Sequence, residues 1–334
     1  MEMRSLSEDV PDSSPVTAKE KFNQRVSAWR RTMILFHRYN KLDGWFEGPF
    51  RAAGYKWYTV EPKMPSLTRS KEYTPDIIAW DEEKDRGLVV EITTNPNNFD
   101  SKMTQMDHYK TDLDIHGLSV YGGSANNGYD VLLSHPFMYD RPQQKYCEVE
   151  VGSTFQVRNG DLLKDSKLRT KLNSFQSRSL VENVPEISIA LLPEMKGPEI
   201  RVGLAALVMS LFKSDGEGLS IDEFVDKGLE RLAKYLNPKV REEFVKDVKT
   251  ELDLLVRSYL DVYLVYDESS KKYVMTENGK KVHQHFHAKK AAMLRLQEWI
   301  DDKPPSGLPD SVAQTTLDSF LGESDVEDYE NLLH

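Results

Sequence analysis

The sequence predicts an α/β architecture, a central sheet flanked by helices, joined to a mainly helical second domain. Two observations carry that expectation. Up to about residue 199, apolar runs of strand length (55–60, 76–80, 87–92, 129–134) alternate with segments whose apolar residues recur at helical spacing. From Gly203 onward the helical period dominates and is broken by one hairpin-like stretch at 262–282. The boundaries expected are 1–16 for a disordered N-terminus, 17–199 for the sheet domain, 200–300 for the helical domain and 301–334 for a flexible acidic tail.

A chain of 334 residues suggests two domains, or one large one, with a full apolar core. It contains no apolar run of transmembrane length and no charged-then-apolar leader, so a soluble cytoplasmic protein without a membrane partner is expected. The single cysteine, Cys147, excludes an internal disulfide framework and a multi-cysteine zinc site. The formal net charge is −10. Residues 301–334 hold nine acidic side chains against Lys303, so they carry −8 of that charge and the first 300 residues only −2. Overall charge therefore neither supplies nor excludes the local basic face that a nucleic acid needs.

Residues 1–16 are polar and rich in Pro and Ser, with little to bury. From Thr17, Phe22, Val26, Trp29 and Met33 recur at helical spacing, with Arg25, Arg30, Arg31 and Arg38 among them as a basic face for phosphate or for solvent. Residues 45–54 read as a short helix carrying Glu47, and 55–60 as the first strand of the sheet.

The stretch from Tyr73 to Tyr109 carries the chemistry. Asp76 follows Pro75 at the head of one strand, and Glu91 closes the run 87–92. The polar turn 81–86 folds the two strands into a hairpin whose cross-strand neighbours lie about 5 Å apart, bringing two carboxylates to one end of a sheet. Hard divalent cations such as Mg²⁺ are commonly held by one or two carboxylates with water and substrate phosphate. Such an ion polarises a phosphodiester, supplies hydroxide and steadies the leaving oxygen.

These residues resemble the PD-(D/E)XK nuclease superfamily, and its RecB-like branch in particular. Pro75-Asp76 matches the first element, Glu91-Ile92-Thr93 stands where the family has E-x-K, and Gln105-Met-Asp-His-Tyr109 matches the Q-x-x-x-Y element. Glu47 stands where members often carry an additional acidic ligand. The resemblance implies a restriction-endonuclease-like central mixed sheet and a metal-dependent DNA nuclease. Asp76 and Glu91 would hold Mg²⁺ or Mn²⁺ with help from Glu47, while Gln105 and Tyr109 order the site. Thr93 departs from the family lysine that positions the attacking water. Lys102, on the following helix, either takes over that role or the site binds without cutting, and Thr93 is placed to hold a water. Many members act as dimers, so a homodimer is compatible with the resemblance.

Beyond Tyr109, strands are expected at 117–121, 129–134, 146–157 and 186–192. The loop 122–128 is Gly-rich but lacks the Lys-Ser/Thr ending of a phosphate-binding loop. Lys164, Lys167, Arg169, Lys171 and Arg178 form a basic polar segment that is either a phosphate contact or a solvated loop.

In the helical half, 205–212 is an apolar helix, Ser220 and Glu223 form a capping box, and Pro238 opens a long helix to about residue 260. Residues 262–266, a turn and 272–282 then resemble the wing of a winged helix. That resemblance implies duplex DNA contact through the third helix and through Lys271, Lys272, Lys280 and Lys281 at the wing, or alternatively a protein-docking module. His283 and His287 fall on one helical face but have no carboxylate or cysteine at ligand spacing, and surface histidines are the expectation.

After the Pro-rich linker 303–309, Gln314, Leu317, Phe320 and Leu321 resemble a PIP box, the peptide by which replication and repair enzymes bind the sliding clamp (PCNA), most like those of archaeal DNA enzymes. One helical turn places Leu317, Phe320 and Leu321 on one side as an apolar plug, and Gln314 reaches a polar pocket. Leu321 replaces the usual second aromatic. Two functions follow from the resemblances: a clamp-recruited, metal-dependent DNA nuclease in repair, replication or defence, or an inactive nuclease-fold adaptor for DNA or the clamp.

Overall fold

The computed structural model describes residues 17–41, 44–95, 98–136, 145–179, 189–214 and 218–305. The N-terminal segment 1–16 and the tail residues Gln314, Leu317, Phe320 and Leu321 lie outside the described residues. No described helix is long and apolar enough to cross a membrane.

Helix α1 (Ala18–Ile34) starts at a capping box in which Thr17 accepts from Glu20 N and Glu20 accepts from Thr17 N. Its arginines turn inward. Arg25 pairs with Glu194 and Glu199, Arg30 donates to Ile189 O, and Arg31 donates to Val151 O, so these three tie α1 to the rest of the fold. The hairpin β1 (Arg38–Lys41) and β2 (Gly44–Glu47) follows, then α2 (Pro49–Ala53). Glu47 therefore ends a strand and does not sit on the expected helix, because Gly48 and Pro49 provide the helix start one residue later.

Strand β3 (Trp57–Val60) precedes the short pair β4 (Met64–Pro65) and β5 (Glu72–Tyr73), and then β6 (Ile77–Asp81) and β7 (Arg86–Ile92) form the expected hairpin. Helix α3 (Phe99–Asp112) crosses back over the sheet to β8 (Tyr129–His135). Strands β9 (Cys147–Val151) and β10 (Phe155–Arg158) and helix α4 (Ser166–Phe175) complete this half. The six-stranded sheet has the order β10-β9-β8-β7-β6-β3. Strands β7, β8 and β9 are parallel neighbours and the outer pairings are antiparallel, so the sheet is mixed.

Three strand expectations change. Residues 117–121 lie in a 3-10 helix, Ile115–Tyr121, opened by Asp114, whose side chain accepts from His116 N. The stretch 146–157 is two strands, because Gly152 and Ser153 turn the chain. Residues 189–192 carry no strand, and the rest of 186–192 lies outside the described residues. The basic segment at 164–178 is mostly helix: Asp165 caps α4, accepting from Lys167 N and Leu168 N, and Leu168, Leu172 and Phe175 are buried.

The C-terminal region is helical. Helices α5 (Pro198–Lys213), α6 (Ile221–Leu229) and α7 (Pro238–Ser258) precede a hairpin, β11 (Leu264–Asp267) with β12 (Lys272–Met275), and then α8 (Glu277–Val282) and α9 (Phe286–Ile300). The Ser220/Glu223 capping box and the Pro238 start stand as read, with Asn237 capping α7. The last helix is split: His283 ends α8 and His285 precedes α9, so His283 and His287 belong to different helices.

One apolar core covers one face of the sheet and runs without a break into the helical region, from Phe22 through Ile77, Val90 and Leu132 to Leu204, Phe244 and Trp299. A second core on the other face joins Ile78, Val89 and Leu133 to Met106 and Tyr109 of α3. The free edge of β3 is closed by the helical region: Val60 N donates to Tyr235 O at 2.7 Å, Asn237 N donates to Val60 O at 3.2 Å, and the Tyr58 and Tyr235 rings lie 4.2 Å apart.

Candidate functional site

Asp76 immediately precedes β6, and Glu91 is the second-last residue of β7. The register Ile77↔Val90 makes the two carboxylates neighbours at one end of the hairpin. Asp76 Oδ2 accepts a hydrogen bond from Ile92 N at 2.6 Å, which locks the first carboxylate across to the strand carrying the second. Lys102, near the start of α3, makes a short ion pair with Glu91 Oε1, and its Nζ lies 3.9 Å from Asp76 Oδ2. One turn further on, Gln105 Nε2 donates to the Tyr109 hydroxyl, which lies beside the Glu91 carboxylate but donates to Thr74 O at 3.4 Å.

The electrostatics follow from burial. Asp76 is 7 % exposed and Glu91 1 %. Burial, then the Glu91 charge, pushes the Asp76 carboxyl well above the usual range, and Lys102 opposes the shift. Burial also raises Glu91, again against Lys102. Burial alone would lower the Lys102 ammonium, yet the charges of Asp76 and Glu91 outweigh it and hold the lysine above its ordinary value. The Tyr109 phenol is raised by burial and then by Glu91 and Asp76, so it stays neutral.

Two further carboxylates approach this end of the sheet, and neither was read from the sequence. Glu61 follows β3 in a left-handed conformation, φ 46°, with its N–H donating to Asp76 O at 2.9 Å. Burial, then the charge of Glu194, pushes its carboxyl up to about 7. Glu61 Oε1 is buried without a hydrogen-bond partner. Glu194 accepts from Trp29 Nε1 at 2.7 Å and pairs with Arg25 at 2.8 Å, and its charge also acts on Asp76 and Lys102. A signal for Glu61 existed: in an antiparallel pairing of 55–60 with 76–80, the residue after the first strand must meet the one before the second. Glu194 had no such signal, because it lies in a loop after a segment read as strand.

Other expected residues lie elsewhere. The Glu47 carboxylate faces Arg51 at 3.7 Å and makes no contact with Asp76 or Glu91 among the described residues. The Thr93 hydroxyl donates to Asn95 O at 3.3 Å and its N–H to Ser134 O, so the side chain is already committed. Lys271 and Lys272 lie on the hairpin, where Lys272 faces Glu223 at 3.8 Å; Lys280 and Lys281 lie on α8, where Lys280 pairs with Glu277 at 2.7 Å.

Among the described residues, no group of three or more His, Cys, Asp or Glu side chains is arranged to hold a metal ion, the 283–287 histidines included. What the site offers is a pair of hard oxygen ligands, and Glu91 Oε2 is buried with no hydrogen-bond partner. Two carboxylates that repel one another when buried fit a divalent cation of the Mg²⁺ kind, which keeps most of its coordination for water and phosphate.

Comparison with protein-family models, with curated proteins and with solved structures found no match for this chain.

Proposed function

We propose that this chain is a divalent-metal-dependent deoxyribonuclease that hydrolyses phosphodiester bonds. The reading rests on one observation, the meeting of Asp76, Glu91 and Lys102 at the end of the β6–β7 hairpin. The mixed sheet with α3 laid over it is compatible with a restriction-endonuclease-like fold. Mg²⁺ or Mn²⁺, when bound by Asp76 and Glu91, would polarise the scissile phosphate and lower the pKa of water. Lys102, which reaches both carboxylates from the neighbouring helix, supplies the positive charge that Thr93 cannot. It can orient the nucleophile and balance charge growing on phosphoryl oxygens. Gln105 holds the Tyr109 hydroxyl, and the two would order the side of the site next to Glu91.

The helix, helix, long helix and hairpin succession of α5, α6, α7 and β11–β12 supports a winged-helix reading, with Lys271, Lys272, Lys280 and Lys281 meeting phosphates of duplex DNA. Gln314, Leu317, Phe320 and Leu321 would bring the enzyme to a sliding clamp. The test is cleavage of branched, single-stranded and duplex DNA with Mn²⁺ by the wild type and by Asp76→Asn. Cutting that requires the metal and disappears in the variant supports the reading; cutting that survives the substitution defeats it.

A second reading has its own support. Lys102 already offsets one of the pair's two negative charges without any ion, as a retired site would require. An adaptor of that kind would bind DNA or the clamp equally well in the presence of a chelator and cut nothing.

A further inference from the structure

We propose that residues 314–321 dock back onto this same chain, in a groove between α1, α5 and α9. The groove encloses about 210 Å³, and its floor is made by Val202, Ala205 and Met209 of α5 with Met293, Leu296 and Ile300 of α9. Lys19, Lys213 and Lys289 stand at its rim with Asp301.

Three observations select the occupant. The described chain ends at Pro305, four residues past Asp301 of the rim, so the tail begins within a few residues of the groove. The twelve residues from Pro305 to Leu317 span up to about 40 Å when extended, so reach sets no barrier. Residues 306–334 carry seven acidic side chains and no Lys or Arg, opposite in sign to the three rim lysines. Within them, Leu317, Phe320 and Leu321 have the spacing that a helical turn would bring to one side, the shape that an apolar groove between helices accepts. Residues 1–16 precede Thr17, which also lines the groove, but they hold four Asp/Glu with Arg4 and no aromatic side chain.

Docking would cover the apolar face that the clamp reading assigns to these residues, so groove and clamp would compete for it. The inference rests on the same apolar triplet as that reading but needs neither a clamp nor DNA for its test.

Met209 and Met293 in the groove provide the probes. Methionine-methyl NMR spectra of the full chain are compared with those of the triple variant Leu317→Ala, Phe320→Ala, Leu321→Ala and of the rim variant Lys213→Glu, Lys289→Glu. The proposal expects both variants to move the Met209 and Met293 signals by more than a linewidth, while the core signals of Met33, Met64 and Met106 stay in place and report an intact fold. Superimposable Met209 and Met293 signals overturn it. So does a shift caused by deleting residues 2–16 and not by the tail variant, which would make the N-terminal segment the occupant. A shift in the wild type that depends on protein concentration would assign the groove to a second copy and equally overturn the proposal.

Discussion

Replacing Lys102 by Met removes the one charge that offsets two buried carboxylates, while keeping most of the side chain's apolar stem. Taking one partner from a buried ion pair costs about 3–5 kcal/mol. Lys102 is 22 % exposed, so the low end, about 3 kcal/mol at pH 8, is the expected loss of stability. The loss must depend on pH in a definite direction. Asp76 and Glu91 have folded pKa values raised above the unfolded ones, so their contribution is full below the unfolded values and disappears as pH rises through the folded ones. Without Lys102 to oppose the shift, the native variant holds an extra proton over a wider range, and its deficit shrinks by up to about 1.4 kcal/mol per pH unit on acidification. Lys102 itself is raised, so its own contribution is fully present below the ordinary lysine value and is lost only as pH rises above it. Urea unfolding of both proteins at pH 8 and pH 6, followed by tryptophan fluorescence, reads both quantities. An equal deficit at the two pH values, or a deficit below about 0.5 kcal/mol at pH 8, would refute the coupling of the three groups.

Three further outcomes follow. Asp165→Ala removes the cap of α4 and the acceptor for Lys84 Nζ at 2.7 Å and Tyr55 OH at 3.1 Å, and should lower stability by about 2–4 kcal/mol in the same assay. Gly203→Ala places a Cβ 2.0 Å from Ala190 O, so α5 must move away from the 189–192 segment, at about 1–3 kcal/mol and with a lower thermal midpoint. Deleting 311–334 should abolish co-elution with a sliding clamp while leaving intrinsic DNA cutting unchanged; a truncated chain that still co-elutes would remove the tail from that role.

What the sequence made legible was local. The β6–β7 hairpin could be read because two apolar runs flank one polar turn, and that hairpin alone puts Asp76 beside Glu91. Lys102, Gln105 and Tyr109 could be placed together because they recur at positions that share one side of a helix. Glu47 was misplaced because a Pro at the first helical position was taken for the middle of a longer helix. The 3-10 helix Ile115–Tyr121 passed for a strand because alternating Leu118 and Val120 look alike in both, and Val120 is in fact 82 % exposed. Long-range contacts left no local trace. Trp29 reaching Glu194, and β3 receiving Tyr235, depend on residues more than 160 positions apart. For the same reason the inward turn of the α1 arginines could not be read: their partners lie on elements whose positions only the tertiary fold sets.

Titration of the purified chain with Mn²⁺, with free ion followed by its EPR signal, probes the pairing of the carboxylates at 76 and 91 more directly than any activity. The account predicts a saturable site at pH 8 in the wild type that Asp76→Asn and Glu91→Gln each abolish, with both variants folded. A wild type that takes up no Mn²⁺, or variants that bind it as the wild type does, would contradict it.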